Sequence, residues 1–237
     1  MMHTVCDTSV SSSSQAQWAG EFLDKWLPEA FQDLASIAHP APYASNRTLF
    51  SEKDQAQGVY LLLEGEVKLS MNSIDGRRLI LRIAKKGEIL GLASALSGKP
   101  YEVTAETLYP CRLAFVSRRE FLAILVRHPE MYQTLTEELS RNISSACEQL
   151  RTVGLSSSVP EKLARLLLDW SETGQATEGG TKLRFSLTHG EIGEFIGASR
   201  ETVTRTLTLF KTRRLVMFNG SMVTIPSKAA LESYARC

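Results

Sequence analysis

Cysteine is sparse in this sequence, and its spacing excludes the usual cysteine-based sites. The four cysteines, Cys6, Cys111, Cys147 and Cys237, stand far apart, so no C-x2-C pair is present. Zinc sites and iron–sulfur clusters need several such ligands at close spacing. We therefore predict no metal site and interpret the cysteines as buried or incidental thiols in a reducing compartment. Redox sensing by Cys111 or Cys147 is the less common alternative.

Long apolar runs, a secretion signal and catalytic motifs are also absent. No stretch approaches the roughly 20 apolar residues of a membrane-spanning helix, and the chain does not open with a basic segment followed by an apolar run. These absences predict a cytoplasmic protein with no membrane partner. The sequence also lacks a nucleophile elbow, a phosphate-binding P-loop and a paired-carboxylate motif, so we predict no enzyme and no catalytic residue.

What is present predicts an α+β fold that begins with a β-rich domain. Residues 1–19 are polar and predict a flexible tail. Between about 45 and 116, short apolar or alternating runs are separated by glycines and by the hairpin signal Asp75-Gly76. This pattern indicates an antiparallel β-barrel or sandwich. We assign residues 20–128, which open with helical spacing, to a barrel domain.

Residues 129–155 form the longest helical pattern in the chain, opened by Pro129. Its apolar positions recur at steps of three and four: Met131, Leu135, Leu139, Ile143, Ala146, Leu150 and Val153. Such a stripe fits either a helix packed on its own barrel or a two-chain coiled coil. Its length and narrowness favour the dimer, so we interpret 129–155 as a dimerisation helix.

Residues 156–237 predict a small helical domain with a β-wing. After a serine-rich break comes an amphipathic helix, then a loop over 174–180 and a strand over 182–187. Two short helices follow. The chain closes with an Asn219-Gly220 hairpin, the strongest short-range hairpin signal, and a terminal helix.

Capping signals frame the two short helices. Thr188 and Glu191 have the spacing of a capping box, in which each side chain bonds the other residue's backbone N–H. Gly197 suits a left-handed C-cap, and Ser199 suits the next N-cap. Two capped helices joined by a glycine-containing turn indicate a helix-turn-helix, which we favour over a generic helical hairpin.

The second short helix, residues 199–211, has two faces when its residues are placed at about 100° intervals. One arc is apolar: Val203, Leu207 and Phe210. The opposite arc is polar: Arg200, Glu201, Thr204, Arg205 and Thr208. This division predicts one buried face and one face that is free to contact a ligand.

The chemistry of the polar arc favours DNA as that ligand. Arginine can bond guanine O6 and N7, and glutamate can accept from cytosine N4. A surface that only neutralised phosphates would avoid a carboxylate, so Glu201 points to base contact in the major groove. The net charge of the chain is only +1, but residues 199–214 carry five basic residues against Glu201 alone. This local excess also favours a polyanion.

The stretch LTHGEIGEFIGASRETVTRTLTL (187–209) resembles the helix-turn-helix of the CRP/FNR family of bacterial transcription regulators. Residues 20–235 as a whole are similar to that family's jelly-roll sensor domain, long dimer helix and winged helix-turn-helix. The resemblance implies a homodimer that binds double-stranded DNA and contacts RNA polymerase. It also implies that Arg200, Glu201 and Arg205 contact the bases of a TGTGA-like half-site in an inverted repeat.

The same resemblance implies DNA-backbone contacts by short polar residues near the start of each helix. These residues are Thr188, His189, Ser199, Thr202 and Thr204. His189 and Gly190 stand where the cyclic-AMP-responsive branch commonly has Arg and Gln. One or two of that branch's backbone contacts are therefore expected to be missing here.

The sensor domain departs from the cyclic-AMP-binding branch. Its candidate effector pocket is marked by six positions: Gly91, Leu92, Tyr101, Glu102, Ala146 and Cys147. Leu92 stands where that branch has its ribose-binding glutamate, and Tyr101-Glu102 replaces its phosphate-binding Arg-Ser pair. Ala146 and Cys147 replace the Thr and Ser that contact adenine. A carboxylate in this pair repels a cyclic phosphate, which also lacks its arginine, so these identities argue against cyclic AMP.

The sequence also argues against other effectors of the family. Cys6 alone cannot hold the iron–sulfur cluster of the oxygen-sensing branch, and the histidines are too isolated to form a haem-ligand pair. The effector is therefore unidentified. The alternative function is a cyclic-nucleotide-binding regulatory module of an enzyme or signalling complex, and the helix-turn-helix counts against it.

Overall fold

A computed structural model describes residues 28–156, 158–185 and 187–235. The predicted tail and the helical residues before Pro28 lie outside the described residues, as do Cys6 and Cys237. The chain forms two compact units. The first is Met1–Leu69 with Ile83–Asn142, and the second is Ser70–Arg82 with Ile143–Cys237.

Eight strands between residues 39 and 117 form two four-stranded sheets, with strand orders β1-β8-β3-β6 and β2-β7-β4-β5. The strands are β1 His39–Tyr43, β2 Thr48–Phe50, β3 Gly58–Glu64, β4 Val67–Asn72, β5 Arg78–Ala84, β6 Ile89–Leu90, β7 Thr104–Thr107 and β8 Cys111–Ser117. The sheets are jelly-roll-like, which confirms the predicted α+β class. They do not close into one continuous barrel.

Local sequence explains where these strands turn and where they lie in the sheets. Gly76 has a φ of 80° in the predicted turn between β4 and β5, a conformation that glycine adopts without steric strain. Strand β1 reads His-Pro-Ala-Pro-Tyr and was not predicted, because proline removes ladder donors. Its position at the edge of its sheet accommodates both prolines.

The continuous apolar run of β3 is explained by burial on both faces. Val59, Leu61 and Leu63 join a core that includes side chains of four helices, α1 Pro28–Ile37, α2 Leu92–Ser97, α3 Arg118–Arg127 and α4 Met131–Leu150. Leu62 points to the other face and joins a second core that contains Phe50, Tyr101 and Leu113. A strand covered on both sides loses the alternation of a half-exposed strand.

The long helix α4, Met131–Leu150, continues into a π-helical turn over Arg151–Leu155. It begins two residues after the predicted Pro129, and its α-helical geometry ends before residue 155. Its apolar stripe divides into two halves. Met131 and Leu135 are buried in the core of the first unit. In contrast, Ile143 is 66% exposed, Leu150 is 68% exposed and Ala146 is also exposed.

The second unit contains the predicted winged helix-turn-helix. Its helices are α5 Val159–Ser171, α6 His189–Ile196, α7 Arg200–Thr212 and α8 Lys228–Ala235. Its sheet has the order β11-β12-β10-β9, with β9 Gln175–Thr177, β10 Gly180–Arg184, β11 Met217–Asn219 and β12 Met222–Ile225. Within the described residues, none of the helices combines the length and apolar content needed to cross a bilayer.

The prediction of a loop over 174–180 is wrong in part, and the strand predicted over 182–187 lies earlier in the chain than expected. Residues 175–177 form β9, which pairs antiparallel with β10. Gln-Ala-Thr has no apolar alternation, so the sequence gives no strand signal there. Gly180, with a φ of 117°, allows β10 to start earlier than predicted.

Candidate nucleic-acid interface

The predicted capping box is confirmed at the start of α6. Thr188 Oγ1 accepts from the backbone N–H of Glu191 at 3.2 Å, and Glu191 Oε2 accepts from the backbone N–H of Thr188 at 2.8 Å. Both side chains therefore satisfy donors at the helix start that have no intrahelical partner. Thr188 remains exposed beside them.

A tight turn joins α6 to α7. Gly197 ends α6 in the left-handed conformation with a φ of 65°, as its sequence position predicts. The turn also depends on Gly193, because a Cβ there would lie only 2.5 Å from Ala198 O. These two glycines let α7 begin after only three connecting residues, 197–199.

The two faces predicted for α7 are confirmed. Ser199 caps the helix by accepting from Thr202 N at 3.2 Å. The buried face consists of Val203, Thr206, Leu207 and Phe210. The exposed face, called here the polar arc, consists of Arg200, Glu201, Thr204, Arg205 and Thr208. Burial of the apolar side holds the polar arc outward.

Glu201 and Arg205 are suited to hydrogen bonding with base edges. Hydrogen bonds from its own backbone N–H and from the Ser199 hydroxyl lower the pKa of Glu201, and Arg200 and Arg205 act in the same direction. The carboxylate is therefore ionised at neutral pH and can only accept. Arg205 is exposed, and its Nη2 donates to Thr202 Oγ1 at 3.3 Å, a bond that uses only one of the guanidinium N–H donors.

His189 and Thr204 connect the two helices on the same side. The Nδ1 atom of His189 lies 2.8 Å from Thr204 Oγ1. The Thr204 hydroxyl in turn donates to Arg200 O at 2.9 Å. Nothing in the sequence indicated this contact, because the two residues belong to different helices and come together only in the folded turn.

The basic residues after the polar arc differ in their environments. Arg213 donates through Nη1 to the Tyr234 hydroxyl, and its guanidinium carbon lies 5.7 Å from the centroid of the Tyr234 ring. Arg213 is therefore engaged with α8. Arg214 takes a left-handed φ of 55° at the end of α7, and Lys211 is exposed. The local basic excess is thus only partly available to a polyanion.

Gln149 is a buried positioning residue that sequence inspection did not single out. It lies in α4 within the second unit and is 6% exposed. Its Nε2 donates to Phe195 O at 2.6 Å and to Ile80 O at 2.8 Å. Phe195 O is one of the last four carbonyls of α6, which have no intrahelical donor. Gln149 thereby ties the helix-turn-helix to α4 and to β5.

We expect Gln149→Met to lower the free energy of unfolding by about 1–3 kcal/mol, because it removes both donors from two carbonyl oxygens in a buried site. Urea denaturation of the full chain measures the change. The matched control is Gln133→Met, at an exposed glutamine of the same helix. Equal effects of the two substitutions would contradict the role of Gln149.

Tyr101 fills the space beside Gly91 in the candidate effector pocket. It is 4% exposed and stacks on Phe50 with ring centroids 4.0 Å apart. Its hydroxyl donates to Gly58 O at 2.8 Å and accepts from Gly58 N at 3.2 Å. A Cβ on Gly91 would lie 2.8 Å from the tyrosine ring. Tyr101 is thus a packed ring whose hydroxyl both donates and accepts a hydrogen bond.

The other predicted pocket residues do not share that environment. Leu92 is buried in the core to which helices α1 to α4 contribute side chains. Glu102 is exposed, and so are Ala146 and Cys147, which belong to the second unit. Among the predicted pocket residues of the first unit, Gly91 thus lies against the ring of Tyr101, ten residues later in the chain.

Calorimetric titration of the full chain with cyclic AMP is expected to give no binding. The nucleotide would have to displace Tyr101 and break its two hydrogen bonds to Gly58, each worth about 0.5–1.5 kcal/mol, without gaining an arginine. Specific binding of DNA by the same preparation serves as the control for folded protein. Saturable binding in the micromolar range would contradict this expectation.

The two described cysteines differ in environment. Cys111 is buried, and burial raises the pKa of its thiol, while Glu66 O and Tyr109 O lie 3.3 and 3.1 Å from its Sγ. Cys147 is exposed. In the described ranges, no three His, Cys, Asp or Glu side chains form a group that could hold a metal ion.

Comparison with known families assigns the two parts of the chain separately. The family described as the cyclic nucleotide-binding domain matches residues 40–128. The family described as the Crp-like helix-turn-helix domain matches residues 161–234. The second match supports a transcription regulator over the regulatory module of an enzyme.

Individual relatives agree with this assignment. The chain is 30% identical over 191 residues to the transcriptional activatory protein AadR of Rhodopseudomonas palustris, covering 80% of this chain and 78% of AadR. It is 27% identical to the CRP-like cAMP-activated global transcriptional regulator of Mycobacterium tuberculosis, over 88% of this chain and 93% of that protein. The fold is similar to that of FixK2 from Bradyrhizobium japonicum, with a TM-score of 0.73 and 21% identity over 84% of this chain and 97% of FixK2. The chain therefore belongs to the CRP/FNR family of transcription regulators.

Proposed function

We propose that this chain is a homodimeric regulator that binds an inverted repeat of TGTGA-like half-sites with α7 in the major groove. One observation carries the proposal: Arg200, Glu201 and Arg205 are exposed together on the face of α7 opposite its buried residues. The half-site offers guanine O6 and N7 to the arginines and, on its other strand, cytosine N4 to the glutamate.

Residues around the helix starts supply candidate contacts to the DNA backbone. Ser199 is the N-cap of α7 and Thr202 lies in its first turn, where the helix dipole favours a phosphate. Thr188 and His189 occupy the corresponding place in α6. Such contacts orient the domain on the duplex without selecting its sequence.

The exposed half of the α4 stripe supports the homodimer. Ile143, Ala146 and Leu150 recur at heptad-like spacing and are exposed in the single chain. Two copies that pair along this stripe would bury it in a coiled coil. A dimer presents two recognition helices to half-sites one helical turn apart, which matches an inverted repeat.

The remaining partners follow from family membership. By analogy with the transcription regulators among its relatives, we include RNA polymerase as a partner and the cytoplasm as the location of the dimer. The sensor domain would take an effector other than cyclic AMP, because Tyr101 occupies the place of the phosphate-binding arginine.

A gel-shift titration at one fixed salt concentration tests the proposed function. The probe is a duplex with the TGTGA inverted repeat, and the control is a duplex of the same composition with scrambled half-sites. We expect at least about a 1,000-fold preference for the repeat, the lower end for specific binding. Equal affinity of folded protein for both duplexes would overturn the proposal.

A further inference from the structure

Thr204 lies in the middle of the polar arc. It follows Arg200 by about one helical turn and directly precedes Arg205 in the sequence. Its side chain is exposed. A duplex that contacts both arginines therefore also meets Thr204, so the chemical group that this residue presents affects which base is accepted.

The Thr204 hydroxyl has no hydrogen left for DNA. Its single hydrogen is donated to Arg200 O at 2.9 Å. The same oxygen lies 2.8 Å from His189 Nδ1. Since the hydroxyl hydrogen is already used, His189 Nδ1–H is the donor in that contact. Thr204 cannot then donate to a phosphate oxygen or to a base acceptor without giving up the Arg200 bond.

The same bond also directs the methyl group of Thr204. A threonine hydroxyl that bonds the carbonyl four residues earlier is held against the preceding helical turn. The other branch of the side chain, the γ-methyl, is then left facing outward. Thr208 repeats this arrangement by donating to Thr204 O at 2.9 Å, as does Thr212 by donating to Thr208 O at 3.0 Å. These three threonines of α7, although polar residues, thus direct methyl groups outward.

We propose that Thr204 contacts the 5-methyl group of a thymine in the major groove through its own methyl group, held in place by His189. Thymine is the only base with an apolar group in that groove, and a threonine methyl is a suitable partner for it. The inference rests on the proposed DNA binding. It gives Thr204 a base contact in place of the phosphate contact predicted from the sequence.

Two opposite substitutions separate the methyl from the hydroxyl. Thr204→Val keeps an outward methyl and removes the hydroxyl, whereas Thr204→Ser keeps the hydroxyl and removes the methyl. Affinities of both variants and of the unaltered chain are measured by gel shift on the TGTGA inverted repeat. They are measured again with each thymine of the half-site replaced by deoxyuridine, which lacks only the 5-methyl group, in both half-sites.

One thymine position is expected to respond. There the unaltered chain and Thr204→Val lose about 4-fold per half-site on uracil substitution, or about 15-fold for the repeat, the amount expected for one buried methyl contact. Thr204→Ser should bind the thymine duplex about that much more weakly and lose nothing further with uracil. Such non-additivity identifies direct contact between the two methyl groups.

His189→Phe tests the positioning residue, since it keeps a ring and removes the Nδ1–H donor. We expect its ratio of thymine to uracil affinity at that position to fall towards 1, with an unchanged melting temperature. A variant that lost overall affinity but kept the ratio would show that His189 does not hold Thr204.

The outcomes distinguish this inference from the function on which it rests. If the unaltered chain prefers the repeat over a scrambled duplex but the uracil effect persists in Thr204→Ser, the thymine contact is wrong and the proposed function stands. A loss in Thr204→Val equal to that in Thr204→Ser also overturns the contact. If the unaltered chain shows no preference for the repeat, both the function and the contact are overturned.

Discussion

Replacing Arg205 with alanine is expected to weaken binding to the TGTGA inverted repeat by about 1–3 kcal/mol per half-site and to relax selection at one guanine position. Arg205 is exposed on the polar arc, and the variant lacks the guanidinium donors that we propose bond guanine O6 and N7. Gel-shift titrations against duplexes with each half-site base pair changed in turn measure both effects. The loss should disappear on the duplex whose contacted guanine has been replaced.

A matched control separates base contact from charge. Arg213→Ala removes the same charge from the end of α7, but Arg213 is held by Tyr234 and lies away from the polar arc. We expect it to weaken all duplexes by a similar small factor. If Arg205→Ala also weakened every sequence uniformly, Arg205 would be a backbone contact and the assignment of base contact would be wrong.

Ile143→Asp combined with Leu150→Asp is expected to convert the protein to a monomer and to reduce affinity for the inverted repeat by about 100-fold or more. At both positions, carboxylates of the two chains would face each other across an apolar seam. A monomer would also lose the extra affinity that comes from binding two half-sites at once. Light scattering after gel filtration gives the mass, and gel shift gives the affinity.

The folding of the double variant is not at risk from these positions, since both side chains are exposed in the single chain. Ser144→Asp serves as the control, because it adds a charge to an exposed position of the same helix outside the stripe. It should remain a dimer with full affinity. A double variant that stayed dimeric would show that the subunits pair through another surface.

Periodicity and capping signals predicted the order of elements well. Thr188, Gly197 and Ser199 act through neighbours within four residues, so their roles follow from local sequence. Strand β9 was missed because its pairing with β10, rather than its composition, makes it a strand. The sequence also did not predict that the α4 stripe has a buried half and an exposed half. Leu135 and Ile143 are both apolar, and only the folded structure shows what packs against each of them.

The sequence predicted which face of α7 is exposed but not the hydrogen bonds made by the residues on that face. Placing the residues of α7 at helical intervals separated Arg200, Glu201 and Arg205 from the buried face correctly. The contact between His189 and Thr204 spans two helices, and Tyr101 bonds a backbone group 43 residues away. Such long-range partners decide whether a hydroxyl is free or a pocket is filled, and they exist only once the chain has folded.

The divided stripe of α4 also bears on how the regulator responds to its own abundance. The first half of the helix is buried within its own domain at any dilution, whereas in the proposed homodimer the second half is buried only by the second chain. Assembly is therefore a separate equilibrium governed by protein concentration. Where monomers predominate, occupancy of a two-half-site operator rises with the square of the amount of protein. A modest change in synthesis or degradation would then produce a steep change in transcription.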